Sequence, residues 1–491
     1  MKQNSSSGEI VTASEKAHAL RNAIPRDGLF KDKFWRIAPD PLPLPENLYE
    51  QILESGSRLH AFHKACNLLY RQSVEGKQPE WIHRYLDAGK SPSMIQLARE
   101  KSWKNDLPCV IRPDFLLTDG GLVLTELDSV PGGIGLTAWM QKAHASIADC
   151  RLPIADSGKE AVCDSMIESG MLQGFIAALS SALSTQHSAL SHAAIVISEE
   201  AKDYRPEMEW LVEENAKCKK HHSRESGNPE SKIQNSKLMV CPPQDLEYRS
   251  EGVFLHGERV DVIYRFFELF DLANISNIEK MISAAREGLV RVTPPFKPQL
   301  EEKLWLALFW FPQLAEFWRR ELGDRYFHDL QKIIPFTWIL DPAPLPPHAV
   351  IPRLDIHDWN QIVDFSQKQR DLILKISGFS ERAWGSRGVF LGSDMPAEEW
   401  KSEVSRALAE FDTHPHILQR FAHTTLIEHS YYDFEQEKLV PLKGRLRLCP
   451  YYFVENDKAK LGGVLATLCP ADKKFIHGME DAIMTLAQPT M

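Results

Sequence analysis

The sequence predicts a mixed α/β protein, and three observations carry that reading. Its 491 residues correspond to about three domains of ordinary size. Helical apolar spacing fills residues 45–105, first in ENLYEQILESGSRLHAFHKACNLLY and again in PSMIQLAREKSW. Beyond that stretch, short apolar strands alternate with helical segments, which suggests a small sheet with parallel character. At 43% hydrophobic and 25% charged residues, the composition is that of an ordinary globular chain.

Residues 1–105 form the N-terminal helical segment, and residues 106–190 begin with the most informative stretch of the chain. Cys109–Leu117 and Leu122–Leu127 are rich in Val, Ile, Leu and Phe, and Thr118-Asp-Gly-Gly121 lies between them. Gly120 and Gly121 tolerate the positive φ that a short hairpin turn requires. A three-residue loop at 119–121 sets Asp114 opposite Glu126 and Arg112 opposite Asp128. Opposed side chains lie roughly 5 Å apart at Cβ, so one end of one face presents three carboxylates and a guanidinium. That face is expected to carry Leu116, Leu122 and Leu124 near the turn, with Ile111, Phe115 and Leu117 behind it. Carboxylates this close repel unless a cation or an arginine sits among them. Hard oxygen ligands suit Mg²⁺, so Asp114, Glu126 and Asp128 are candidate metal ligands; a solvated polar face is the alternative. Ser129-Val-Pro-Gly-Gly-Ile-Gly135 follows, a glycine-rich loop that lets backbone approach a ligand. Residues 155–185 read as helical.

Residues 191–295 change texture. Ala193–Ile197 is a continuous apolar strand; Leu238–Cys241, Val253–Leu255 and Val260–Tyr264 follow, the last two around a His-Gly turn. This is the expected small α/β layer. Within it, residues 217–237 (KCKKHHSRESGNPESKIQNSK) are nearly devoid of apolar side chains and read as a disordered insert. His221 and His222 are expected to be solvated.

Residues 296–491 hold a helix over Glu301–Arg320, a proline-rich connector, and strands at 372–377, 388–392, 416–421, 445–454 and 462–470. Lys375 stands mid-strand in Leu372-Ile-Leu-Lys-Ile-Ser377, where an ammonium requires an anionic partner or an escape to solvent. Ser377-Gly378, then Gly385-Ser386-Arg387-Gly388, then a returning strand make a flap suited to phosphates. Backbone N–H groups and an arginine contact phosphate oxygens, and the lysine reaches one as a point charge. Lys303, ahead of a helix, is a second phosphate candidate because an anion there would offset the helix dipole. Lys332 competes for the same role.

The Arg112-x-Asp114, Glu126-x-Asp128 spacing ahead of a lysine strand resembles the circularly permuted ATP-grasp ligases, with the synthetase portion of glutathionylspermidine synthetase most alike. The resemblance runs in patches from about residue 108 to the end. It implies a permuted ATP-grasp fold with a small Rossmann-like layer, ATP and Mg²⁺ as cofactors, and an ATP-dependent carboxylate–amine ligase acting through an acylphosphate. Position by position, Asp114, Glu126 and Asp128 would match the magnesium ligands and Arg112 the arginine that steadies the acylphosphate. Lys375 and Lys303 would match the phosphate lysines, and Gln419 falls where the hinge meets adenine. Two positions depart from the pattern. Asp128 replaces an asparagine, and Thr467 replaces the substrate arginine of Gly-Gly-x-x-x-Arg, with Arg445 or Arg447 as possible compensation. The amidase domain of the bifunctional relatives has no counterpart ahead of residue 108.

Charge and cysteine usage bound the rest. A net charge of −10 argues against a nucleic-acid groove as the main business. Cysteines 66, 109, 150, 163, 218, 241, 449 and 469 contain no C-x-x-C pair, which fits reduced thiols in the cytoplasm. The first twenty residues lack the apolar core of a signal peptide. The longest greasy run, Leu304–Pro312, is too short to span a bilayer. The resemblance implies small-molecule carboxylate and amine substrates, and the composition argues against membrane and nucleic-acid partners. A non-catalytic or regulatory ATP-binding protein and a phosphotransferase are the alternatives. His414 and His416 lack carboxylate or cysteine neighbours at ligand spacing, and His477 reads as a helix start.

Overall fold

Glu46–Val74 forms a 29-residue helix because its apolar side chains recur at helical spacing and its only glycine, Gly56, presses on the Tyr452 ring. Ile52, Leu59, Phe62 and Leu69 of this helix are buried beneath the largest sheet. Burial of such side chains contributes about 1.5–3 kcal/mol each. The computed structural model describes residues 11–25, 34–128, 130–149, 170–183, 192–225, 237–383, 387–476 and 480–490. Gly385, Ser386 and His477 lie outside the described residues.

In chain order the described strands are β1 (Leu42–Leu44), the hairpin β2 (Val110–Thr118) and β3 (Gly121–Asp128), then β4 (His192–Ile197) and β5 (Lys237–Cys241). Three short strands follow, β6 (Glu247–Arg249), β7 (Gly252–Leu255) and β8 (Glu258–Val260), then β9 (Val262–Phe266) and β10 (Arg291–Thr293). Next come β11 (Thr337–Ile339), β12 (Leu372–Ile376), β13 (Val389–Leu391) and β14 (His416–Arg420). The chain closes with β15 (Leu426–Asp433), β16 (Lys438–Glu455), β17 (Lys458–Pro470) and β18 (Ile483–Pro489).

The largest sheet runs β1-β18-β17-β16-β2-β3, and β15 also pairs with β16. Strand β16 is long enough to serve both neighbours: residues 438–445 pair with β15 and residues 447–453 with β2. A parallel sheet has the order β10-β9-β4-β5, and an antiparallel sheet has the order β11-β14-β12-β13. Strand β4 shows why its residues are apolar throughout. Ala193, Ile195 and Ile197 enter one core while Ala194 and Val196 enter another, as expected for a strand covered on both faces.

Several expectations change here. The helix expected over Glu301–Arg320 is broken into Leu304–Leu308 and Ala315–Ile333. Pro312 falls between the two pieces and supplies no N–H to continue the first. The strand expected over Val260–Tyr264 divides at Asp261: β8 turns back on β7 around His256-Gly257, and β9 joins the parallel sheet. Residues 217–225 are not an insert but the end of a helix, Arg205–Glu225. Residues 226–236 lie outside the described residues. Among the described residues no helix is long and apolar enough to cross a membrane.

Candidate active site

The hairpin pairs Arg112 with Asp128 and Asp114 with Glu126, as the sequence predicts, but by a different route. Thr118 pairs with Gly121 across a two-residue turn at Asp119-Gly120, and the register shifts by one between Asp114 and Phe115. Thr125 is the extra residue of this bulge. Beyond it Phe115 faces Leu124 and Leu117 faces Leu122. Leu122 and Leu124 therefore share the face of Phe115 rather than that of the carboxylates. A bulge leaves its extra residue outside the ladder, and here that residue's carbonyl meets the second half of the site.

Lysine 375 supplies that meeting. On β12 it is 6% exposed, and its Nζ donates to the Thr125 carbonyl at 3.0 Å and to Gln419 Oε1 at 3.1 Å. Gln419 in turn donates through Nε2 to Thr337 Oγ1 at 3.0 Å, so its amide orients the lysine. Burial pulls the Lys375 pKa down to about 8; Lys303 adds to that shift, while Glu126 and Asp114 oppose it. Lys303 precedes the helix Leu304–Leu308, with Nζ 2.8 Å from Glu126 Oε1. Burial alone would lower the Lys303 pKa, but the Glu126 carboxylate beside it holds the ammonium above its ordinary value. Lys332 instead pairs with Asp329 on an exposed helix surface, so of the two candidates only Lys303 reaches the hairpin.

The three carboxylates do not converge on a point; each meets its own cation. Arg112 donates to Asp128 Oδ2 at 2.6 Å and lies 3.5 Å from Asp114 Oδ1. Asp114 accepts from Arg447 Nη1 at 3.2 Å and from the Cys449 thiol at 3.4 Å. Among the described residues no group of three or more His, Cys, Asp or Glu side chains is gathered as for a metal ion. Like charges this close are neutralised here by protein cations. Burial raises the pKa of Asp114, yet Arg112 and Arg447 more than offset it and hold the carboxyl below its usual range. Glu126 is likewise lowered, because Lys303 outweighs its burial. Asp128 stays raised, since burial and Glu126 together outweigh Arg112.

The flap residues divide. The Ser377 hydroxyl accepts from Leu304 N at 3.0 Å and donates to Glu302, so it is engaged inside the protein and not offered to a phosphate. A Cβ on Gly378 would meet the Glu301 carbonyl at 2.8 Å; this glycine allows two segments to approach. Gly388 accepts from the Ile376 N–H, and its added Cβ would meet Ile376 at 2.6 Å. Arg387 is exposed and acts electrostatically on Glu200.

Glycines 133 and 135 also serve packing. Glu207 accepts from Gly133 N at 2.8 Å and Leu136 N at 3.1 Å, capping the helix Ile134–Asp149. A Cβ on Gly135 would meet the Glu207 carbonyl at 2.2 Å. Of the N–H groups at this turn, those of Gly133 and Leu136 are occupied by Glu207.

Two neighbours carry no motif of their own. Arg447 stands directly across from Thr467 on β17, which places a guanidinium beside the residue that departs from the family pattern. The alternation in Arg445-Leu-Arg447-Leu signals a charged face, although Arg445 turns away to Ala471 and Thr424. Glu268 is half-buried, and burial, then Glu301, then Asp128 push its carboxyl well above the usual range. No spacing in the sequence links it to the hairpin.

No protein-family model matches the chain, and no curated protein does. Among solved structures, a glutathione synthetase-like effector from Globodera pallida matches with a TM-score of 0.53 at 12% identity, over 97% of each chain. A putative gamma-glutamylcysteine synthetase from Methylobacillus flagellatus matches with a TM-score of 0.37 at 10% identity, over 82% of this chain and 85% of its own. The first likeness is one of fold along nearly the whole chain, and it agrees with the mixed α/β architecture that the sequence predicts.

Proposed function

We propose that the protein is an ATP-dependent carboxylate–amine ligase of the circularly permuted ATP-grasp kind. The observation that carries this reading is the meeting of Lys375 and Lys303, 72 residues apart on separate elements, at one carboxylate hairpin. Two buried ammonium groups beside partly open carboxylates suit a metal-bound triphosphate better than any neutral ligand. The order of segments, hairpin first and lysine strand later, agrees with the permuted arrangement.

Accessibility tests the fit of Mg²⁺. The Glu126 and Asp128 side chains retain 40% and 26% exposure, against 10% for Asp114. Glu126 and Asp128 therefore fit a metal that keeps water and phosphate oxygens, and Asp114 serves to hold Arg112 and Arg447. When bound, Mg²⁺ supplies charge neutralisation as a phosphoryl group is transferred.

Lys303 and Lys375 hold phosphate oxygens, and Gln419 aims Lys375. Arg112, fixed by Asp128 and Asp114, would stabilise the negative charge of an acylphosphate and then of a tetrahedral oxyanion. The acid and amine are small molecules, a reading that the name of the glutathione synthetase-like neighbour supports.

Incubation with Mg-ATP and a panel of acids and amines tests the reading. A ligase releases ADP and phosphate only when both partners are present, and mass spectrometry finds an amide. Phosphate retained on the acceptor would instead make the protein a phosphotransferase. Nucleotide binding without turnover on any pair, the outcome that Thr467 favours, would leave a regulatory ATP-binding protein.

A further inference from the structure

A cavity away from the carboxylate hairpin opens where the helix Glu46–Val74, the edge strand β10 and the tip of the β16–β17 hairpin meet. Its volume is about 410 Å³, which is the size of a metabolite rather than of a single water. His60, Lys64 and Arg71 line it from one face of the helix, at positions i, i+4 and i+11, which project together. Arg291 faces them from β10.

The charges around this cavity do not balance. Asp457 is shared between His60 and Lys64, and Asp106 is matched by Arg291. Arg71 donates to the neutral Asn105 side chain at 2.9 Å, and Glu75, one helical turn on, feels its charge while pairing with Lys77. Lys297 lies just behind the wall, 2% exposed, with its ammonium on Asn67 Oδ1 and on the carbonyls of Lys104 and Asp106. Among the lining side chains Lys64, Arg71 and Arg291 outnumber Asp106 and Asp457 by one, in a chain whose net charge is −10. Electrostatics supports the same picture. Burial is the main reason that Lys297 falls to about 7; Asp106 opposes the shift, and Arg71 and Arg291 add to it. Arg71 and Arg291 are therefore near enough to act on Lys297, and an anion between them would relieve all three. Guanidinium groups are the side chains best shaped to receive phosphate or carboxylate oxygens in pairs.

We infer that this cavity is a binding site for a small oxyanion-bearing metabolite, recognised by Arg71, Arg291 and Lys64 and separate from the nucleotide site. Its floor, Pro108 and Cys109, leads directly into the strand that carries Arg112 and Asp114.

Titration calorimetry on the full chain tests the assignment, using inorganic phosphate, pyrophosphate and citrate as probes against chloride at matched ionic strength. The three probes separate a phosphate preference from a carboxylate one. At least one of them is expected to bind saturably with ATP already present. Arg71→Glu should weaken that binding tenfold or more, Arg71→Lys should recover part of it, and ATP affinity should be the same in both variants. Absence of saturable binding by all three probes would overturn the inference. So would binding that ATP abolishes, or that Arg71→Glu leaves unchanged, because either would place the anion in the nucleotide site or elsewhere. If Arg71→Glu unfolds the chain, Lys64→Ala at the exposed rim provides the same comparison, with a smaller expected loss of about threefold.

Discussion

Lys375 Nζ reaches the carbonyl of Thr125 across 3.0 Å, joining an antiparallel four-stranded sheet to a bulged hairpin that lies 250 residues earlier in the chain. The contact exists because the bulge leaves Thr125 out of the β2–β3 ladder, so its carbonyl is turned toward the lysine strand. Substituting Lys375 by Met keeps the apolar stem and removes the charge. Mg-ATP affinity should fall at least tenfold while the unfolding midpoint holds or rises, since a buried ammonium is a cost to the fold. Equilibrium binding and chemical denaturation of the same variant check both statements.

A pH dependence follows from the same residue. Lys375 titrates near 8 in the folded protein, against the ordinary lysine value of about 10.4. A lysine depressed in this way disfavours folding at pH below its folded pKa, and the penalty disappears as pH rises from about 8 to 10.4. Nucleotide affinity runs the other way, weakening above pH 8 as the ammonium is lost. Lys375→Arg should bind ATP with a flatter profile over that range, measured by isothermal titration at several pH values.

Arg447 holds Asp114 in its ionised form. A carboxylate with a lowered folded pKa contributes stability above its unfolded value, and that contribution is lost as pH falls through the folded pKa. Arg447→Ala removes one of the two arginines opposing the burial of Asp114, so the acid-induced loss of stability should begin at higher pH. Denaturation midpoints between about pH 3 and 6, spanning the carboxylate range, test this. Unchanged acid sensitivity would mean that Arg112 alone suffices.

Lys90 and Glu302 form an ion pair with side chains only 1% exposed, and Glu302 also accepts from Ser377. The Ser377 contact ties the end of the lysine strand to the segment that carries Lys303, and Lys90 neutralises the carboxylate that receives it. Lys90→Ala leaves a buried carboxylate without its partner and should destabilise the protein by about 3–5 kcal/mol. Replacing both residues by Met should recover most of that loss. Urea denaturation of the three proteins reports the difference.

Much of the site was legible in the sequence because it rests on local spacing. Arg112, Asp114, Glu126 and Asp128 are brought together by one hairpin, and period-two alternation with a glycine turn is enough to pair them. The bulge was not legible: a two-residue turn with one extra residue at Thr125 gives the same pairing at the open end as a longer turn without it. It does move Leu122 and Leu124 to the other face, and only packing distinguishes the two cases. The embedded charge of Lys375 marked its strand, but its partners Thr125 and Gln419 come from other elements and follow from tertiary pairing. Glycine-rich segments admit two readings for a physical reason. Gly133, Gly135 and Gly378 are small so that protein can approach protein, and sequence does not separate that need from the approach of a ligand. The break at Pro312 is written in the chain, but the apolar run Leu304–Phe311 continues the helical pattern up to it and masks the stop.

The most direct measurement of the central claim is titration of the purified protein with Mg-ATP, alongside Glu126→Gln and Arg112→Ala in binding and turnover assays. Saturable binding by the unaltered protein is predicted, with acid- and amine-dependent ADP release reduced on the order of a hundredfold or more in both variants and their folds retained. Equal turnover in the variants, or no binding of Mg-ATP at all, would contradict the account.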